Sequence, residues 1–564
     1  MLTPLRTCAL LMLLSACTPE LPPARDAADA AAVGVPVADL IIRDARIWTG
    51  DPAEPWADIL AVRGDRILAV GAAAADPALT GPQTEIIEAD RGMVVPGFID
   101  THVHFLTGGF ALSSVQLRDA ATPEVFTSRI GAYAATLAPG EWIQNGDWDH
   151  ENWGGRLPTR DWIDGVTGDN PVMINRLDGH MVLANSLALK LAGINADTAD
   201  VAGGEIVRDA DGIPTGVLKD NAMGLVEKVV PAPTEAQLDR ALASASAHVA
   251  AQGVTTVHDM ADARSLATYR RSRQTGGLGT RIYSVRPLSE WPSLVDDIAT
   301  NGRGDNWLQT GGLKGFMDGS LGSHTAAFFE PFTDAPGDRG FFINEPADMA
   351  AWIRDADRAG LHVMVHAIGD RAISTLLDIY ADTITSNGPR DRRFRIEHAQ
   401  HIHPDDISRF AELDVIASMQ PYHAIDDGRW ADRVIGAERA RTTYAFRSLL
   451  EGGARVAFGS DWFVAPPVPL LGIYAAVTRR TLDEANPDGW VPEQRISVEQ
   501  ALAAYTRDAA YASFDEGNRG MLKAGMLADL VWLDRDLTRI PPAEIRDTKV
   551  LRTVIGGVTV FAAP

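Results

Sequence analysis

The sequence predicts a mixed α/β fold: a (β/α)8 barrel of the TIM type, a small β-sandwich domain built from both chain ends, and a large insertion after the first barrel strand. Three observations carry this reading. Eight short apolar runs, each followed by a helical stretch, recur through the middle of the chain. Segments near both termini alternate apolar and polar residues in the manner of half-buried strands. The interval between the first and second runs, Ser113 to Gln252, is far longer than one crossover needs.

The eight runs are Val94–His104, Val254–Met260, Arg281–Pro287, Leu313–Asp318, Leu361–Ala367, Arg393–Ala399, Val415–Gln420 and Arg455–Asp461, the number that closes a parallel barrel. The interval holds a strand-like Pro171–Arg176 and four tryptophans, Trp142, Trp148, Trp153 and Trp162. It reads as a subdomain over the barrel mouth. At the N-terminal end, Asp39–Trp48 and Ile59–Val70 alternate about a Gly64-Asp65 turn. The C-terminus answers with Asp529–Leu533 and with Lys549–Phe561, broken at Gly556-Gly557. Either end alone would make a marginal sheet, so the two are expected to combine. The expected division is a signal and lipobox over 1–17, a tether over 18–37, a β domain from 38–95 with 515–564, and the barrel over 96–514 with 113–252 inserted.

With 564 residues, 46% hydrophobic, the chain can bury a large core. A formal net charge of -24 argues against a nucleic-acid partner, and none is expected. The first twenty residues read as a targeting segment, with Arg6, an apolar Thr7–Leu14, and a Leu14-Ser15-Ala16-Cys17 run that resembles a bacterial lipobox. Lipidation of Cys17 would anchor the protein to a membrane in the bacterial cell envelope. Thr18 does not resemble an inner-membrane retention signal, so the outer membrane, facing the periplasm, is the expected address. A plain secretory signal ending in cysteine is the alternative. The next residues, rich in Ala and Pro, read as a flexible tether. Cys8 and Cys17 are the only cysteines. Cys8 would leave with the signal and Cys17 would carry the lipid, so a catalytic metal would have to be held by His, Asp, Glu or a modified Lys.

The first run ends in Gly97-Phe-Ile-Asp-Thr-His102-Val-His104. Residues two apart on a strand face the same way, so His102 and His104 can address one ion. Such a pair alone is weak. What strengthens it is that Lys314 lies on the fourth run, His366 ends the fifth, His398 the sixth and Asp461 the eighth. Barrel active sites are built at the C-terminal ends of the strands, so these residues point into one basin. Each alone is more often structural, a strand-end histidine bonded in the core or an aspartate capping a helix.

The stretches VVPGFIDTHVHF, LKGFMDGSLGSHTA, HAIGD, RIEHAQ and FGSDW resemble the amidohydrolase superfamily. GDWDHENW, GGRLPTRDWID and RLDGHMVLANSLALKLAGI of the insertion match as well, and the pair DGSLGS and DGH with NSLAL narrows the resemblance to its family 3 branch of YtcJ-like and N-substituted formamide deformylase-like proteins, from about Ala38 to the end. The resemblance implies that His102, His104 and Asp461 hold one divalent metal. It also implies that His366 and His398 hold a second, with Lys314 bridging as its carbamate. The residues alone leave Lys314 open between that role, a salt bridge to Asp318 and a substrate contact. Zinc is the default ion for such ligands, with manganese, iron or cobalt able to substitute, and one or two ions are expected.

The implied mechanism is attack by metal-activated water, with Asp461 taking the proton and returning it to the leaving amine. Asp178, His180 and Asn185 fall where the branch places substrate contacts, with His180 able to donate to the carbonyl. On the residues alone, His180 equally packs a loop and Asn185 caps a helix. Asp318 and His324, in Asp318-Gly-Ser-Leu-Gly-Ser-His324, are further expected contacts. His324 departs from the arginine frequent there in the branch, which leaves the preferred substrate charge open. The four tryptophans either wall an apolar pocket or form the insertion's own core. The expected function is hydrolysis of a small molecule's C–N bond of amide or formamide type. The alternatives are a lactone, carbamate or cyclic-amide hydrolase, a deaminase, or a lipid-anchored metal-binding protein without activity, with oligomerisation open. If Cys17 carries a lipid, wild type will sediment with membranes and Cys17→Ser will appear in the soluble or unprocessed fraction. An unchanged distribution would reject the anchor.

Overall fold

The structure is a computed structural model and describes residues 37–564. The lipobox with Cys17, and all of the tether but Val37, lie outside the described residues.

The apolar runs pair in sequence order as eight parallel strands. These are β1 (Phe98–Val103), β2 (Val254–Met260), β3 (Arg281–Pro287), β4 (Leu308–Phe316), β5 (His362–Ala367), β6 (Arg395–His398), β7 (Ile416–Met419) and β8 (Val456–Phe458). Both faces are covered, so the strands read as nearly continuous apolar runs; every residue of β1, β5, β6, β7 and β8 is buried. The sheet nearly closes on itself. Beyond the end of β8, Asp461 N donates to His102 O (2.7 Å) and His104 N to Trp462 O (2.6 Å).

The run Val94–His104 divides at Gly97. Met93–Pro96 joins the terminal sheets, and only Phe98–Val103 enters the barrel. A Cβ on Gly97 would lie 2.3 Å from Thr255 Oγ1, so the chain crosses between sheets where a side chain has no room.

The termini do combine. Leu530–Leu533 pairs antiparallel with Met93–Pro96, within a six-stranded sheet containing strands from both ends. A four-stranded sheet of N-terminal strands packs against it. Leu40, Ile42, Leu60 and Val62 of the one meet Ile47, Val94, Leu530 and Val554 of the other in a single buried cluster. The last two strands, Val550–Ile555 and Val558–Ala562, turn through Gly556 (φ 56°) and Gly557 (φ 76°), the left-handed pair that a two-residue hairpin requires.

The insertion forms a five-stranded sheet, in spatial order Gly204–Arg208, Pro214–Asp220, Met181–Ala184, Val172–Asn175 and Ile143–Gln144. The helix Glu235–Ala250, expected within the insertion, instead packs on the barrel. Leu238, Leu242 and Val249 join the main core, and the helix lies against Phe105–Ala111. Of the four tryptophans, Trp148, Trp153 and Trp162 cluster around Phe126 in the insertion's core, and Trp142 packs on a second cluster of the same unit. None lines the barrel-mouth cavities. Their size and apolarity are used to give the insertion a core of its own. Among the described residues no helix is long and apolar enough to cross a membrane.

Barrel and terminal sheets are joined by a buried ion pair. Arg281, on β3, donates from Nε to Asp529 Oδ2 (2.8 Å) and from Nη2 to Oδ1 (2.9 Å), and Gly556 N donates to the same Oδ1 (2.8 Å). Asp529→Ala would strand a buried guanidinium. Urea unfolding is expected to show a loss of about 3–5 kcal/mol, and a midpoint shift worth under about 1 kcal/mol, the range of an exposed pair, would refute the role.

Candidate metal centre

At the C-terminal mouth the strand ends bring four histidines, a lysine and an aspartate together. Asp461 Oδ1 lies 3.6 Å from His102 Nε2 and 3.5 Å from His104 Nε2, and Asp461 Oδ2 lies 3.8 Å from His398 Nδ1. The rings of His366 and His398 are 4.5 Å apart and those of His102 and His398 4.8 Å. Lys314 Nζ is 3.0 Å from His102 Nε2. All but His104 are buried.

The proton positions follow from the partners. Carboxylate, carbonyl and amide oxygens only accept, so a ring nitrogen facing one carries the hydrogen and the other nitrogen keeps its lone pair. His102 Nδ1 faces Glu397 Oε2 at 2.5 Å, so the Nε2 lone pair is turned to Lys314 Nζ and the site. His398 Nδ1 faces Gln420 Oε1 at 2.9 Å, freeing Nε2. His366 Nε2 faces Gly319 O at 3.0 Å and leaves Nδ1 free. Glu397 is held in turn by Arg395, whose Nε donates to Oε1 (2.7 Å) and Nη2 to Oε2 (3.0 Å).

Asp461 Oδ1 is buried and has no hydrogen-bond partner. A buried oxygen without a donor, ringed by imidazole lone pairs, suits a cation. His102, His104 and Asp461 each offer a ligand atom within 4.8 Å of the others, and so do His398, His423 and Asp461. The first trio is the one expected. The second takes His398 but joins it to His423, which the sequence reading missed.

Electrostatics keep the donors in binding form. Burial, with Lys314 beside it, holds the His102 pKa well below the ordinary imidazole range, and burial with neighbouring positive groups does the same for His366 and His398. Burial opposes ionisation of Asp461, but His102, His104 and His423 outweigh it and hold the carboxyl at about 2. Burial pushes the Lys314 amine down to about 8, against the pull of Glu397 and Asp461. An appreciable neutral fraction near neutral pH is what addition of CO₂ to an amine requires.

Two cavities meet at this centre. One, of about 500 Å³, is partly apolar, with Met223, Phe316, Ile343 and Phe463 in its wall. The other is charged, with Asp149, Arg176, Asp426 and Arg429. Asp178 and His180 border both, on the hairpin between Val172–Asn175 and Met181–Ala184. His180 Nδ1 is 2.6 Å from Asp220 Oδ1. Burial works against its protonated form, but Asp220 outweighs this and raises its pKa. Asp178 is paired with Arg176 at 2.7 Å and accepts from Ser320 and Ser323.

Three expected substrate contacts line neither cavity, although Asp318 Oδ1 stands 3.7 Å from His366 Nε2. Asn185 caps the helix Ser186–Ala192 by accepting from Ala188 N (2.9 Å), and its amide donates to Thr167 Oγ1 and Asn170 O, so its groups are used locally. Asp318 accepts from the backbone of Ala327, Ile368 and Gly369, pinning its loop. This also removes the salt bridge to Lys314 considered above. His324 turns outward to Asp334 (3.1 Å) and packs on Phe332.

A sequence profile of the amidohydrolase family matches residues 85–561. Protein LONG AFTER FAR-RED 3 of Arabidopsis thaliana is 39% identical over 93% of this chain and 92% of its own length. The N-substituted formamide deformylase of Arthrobacter pascens is 30% identical over 92% and 98%. The crystal structure of an uncharacterized metal-dependent hydrolase from Pyrococcus horikoshii OT3 superposes with a TM-score of 0.71 at 26% identity, covering 89% of this chain and 99% of that one.

Glu397→Asp keeps a charge opposite Arg395 but draws the carboxylate back from His102. Zinc affinity, measured by competition with a chromophoric chelator, is expected to fall about 10–100-fold. Wild-type affinity in this variant would remove Glu397 from the site.

Proposed function

The chain belongs to the amidohydrolase family and is a metal-dependent hydrolase, and from that premise we propose that it cleaves a C–N bond of amide or formamide type. The observation that carries the proposal is the convergence of His102, His104 and Asp461 on one point at the barrel mouth, next to a cavity sized for a small molecule. The N-substituted formamide deformylase among its relatives supports the choice of bond.

His102, His104 and Asp461 would hold one divalent ion, and His366 and His398, with a carboxylated Lys314, would serve a second. A metal bound there supplies Lewis acidity and lowers the pKa of water so that hydroxide forms near neutral pH. Zinc suits this nitrogen and oxygen donor set.

The protein's own groups do the rest. Asp461, held ionised, takes the proton from the attacking water and returns it to the leaving nitrogen, acting as base and then as acid. His180, fixed through Nδ1 by Asp220, presents its other nitrogen to the substrate carbonyl as a donor where negative charge develops. Met223, Phe316 and Phe463 take the apolar part of the substrate.

The test is a screen of N-formyl amines, N-acyl amines and lactones on metal-loaded protein. Turnover of an N-formyl or N-acyl amine is expected, and Asp461→Asn should lower kcat by about 10²- to 10⁴-fold with far-UV circular dichroism unchanged. Turnover confined to lactones would move the reading to ester-type bonds, and full activity in Asp461→Asn would reject the assigned base.

A further inference from the structure

We propose that His398, His423 and Asp461 form a second divalent-cation position; the inference rests on the metal-dependent reading above. His423 stands on the short helix Pro421–Asp427, directly after β7. It is buried, and its Nε2 has no hydrogen-bond partner. A buried imidazole nitrogen without a partner beside two other donors suits a cation, since such groups are otherwise bonded. The three residues' ligand atoms lie within 4.8 Å of one another, a spread that one ion can draw together.

The surrounding groups favour this arrangement. Gln420, three residues before His423 on the same turn, accepts from His398 Nδ1 at 2.9 Å and so leaves His398 Nε2 to bind. Asp461 addresses His102 and His104 with Oδ1, while its Oδ2 stands 3.8 Å from His398 Nδ1, the nitrogen that also donates to Gln420. Asp178 and Asp426 face the same cavity and add negative potential, opposed by Arg176 and Arg429.

His366 is placed differently. Its Nε2 is spent on Gly319 O, and among the described residues it shares no trio of His, Asp or Glu ligand atoms with Asp461. His398 has one free nitrogen and can serve one ion at a time. An ion at the His423 position therefore replaces, rather than joins, one held between His366 and His398.

The experiment strips the full-length protein with a chelator, reloads it with Co²⁺, and measures bound ions per chain by equilibrium dialysis. Visible absorption reports each coordination shell, and circular dichroism checks the fold. Relative to wild type, His423→Asn should bind one ion fewer, or bind it at least about tenfold more weakly, as should His398→Asn. His104→Asn should lose a different ion, and His366→Asn should retain the one that His423→Asn loses. Wild-type stoichiometry, affinity and spectrum in His423→Asn would overturn the proposal. So would loss of the second ion in His366→Asn but not in His423→Asn, and either result leaves the first site standing. Failure of wild type to bind any ion would bring down the metal-dependent reading itself, and this proposal with it.

Discussion

Two backbone hydrogen bonds across the barrel's closing seam set the geometry on which the site depends. Asp461 N donates to His102 O and His104 N to Trp462 O, at 2.7 and 2.6 Å. The same residues thus close the sheet and carry the ligands. Asp100 reinforces the seam from the side, accepting from Ser460 N (2.8 Å) and Ser460 Oγ (2.5 Å). The seam is tight enough that a Cβ on Gly459 would come within 2.7 Å of His102 N. Asp461 and His398 hold left-handed backbone conformations, φ 61° and 73°. Such conformations cost of order 1–3 kcal/mol each and persist only where the surroundings over-determine them. The seam does so for Asp461.

Beneath the mouth the barrel interior is polar. Arg395 donates to Glu397, Thr101 O and Ser418, and packs its guanidinium against His258 Nδ1. A buried guanidinium needs this many acceptors to offset its lost hydration. Through Glu397 its effect reaches His102, whose tautomer it fixes. The order arginine, carboxylate, imidazole runs from one buried strand to the candidate metal position, so the His102 ring is oriented by strand residues rather than by loops.

Much of this was legible in the sequence, for reasons that differ by residue. Parallel strands buried on both faces leave apolar runs, and strand-end residues face the mouth by topology, so His102, His104, His366, His398 and Asp461 could be collected before any coordinates. His423 was open to the same logic, standing just past the seventh run, but without the regular strand-end position it looked like an ordinary helix residue. Glu397 sat inside a recognised motif and was passed over, because a carboxylate that serves a histidine has no spacing signature. The break at Gly97 depends on Thr255, about 160 residues away in the chain, and no local pattern encodes it. Asn185 and Asp318 show the converse error. Their side chains satisfy neighbouring backbone groups, the commonest use of short polar residues at caps and loops.

The insertion keeps its own sheet and two buried clusters, and touches the site through the hairpin bearing Asp178 and His180 and through Asp220. Floor and ceiling of the reaction chamber are therefore separate structural units. Exchanges of side chain in the ceiling can reshape which molecules are admitted while leaving the ion-holding floor untouched, giving such a scaffold a route to new substrates that does not pass through loss of its chemistry.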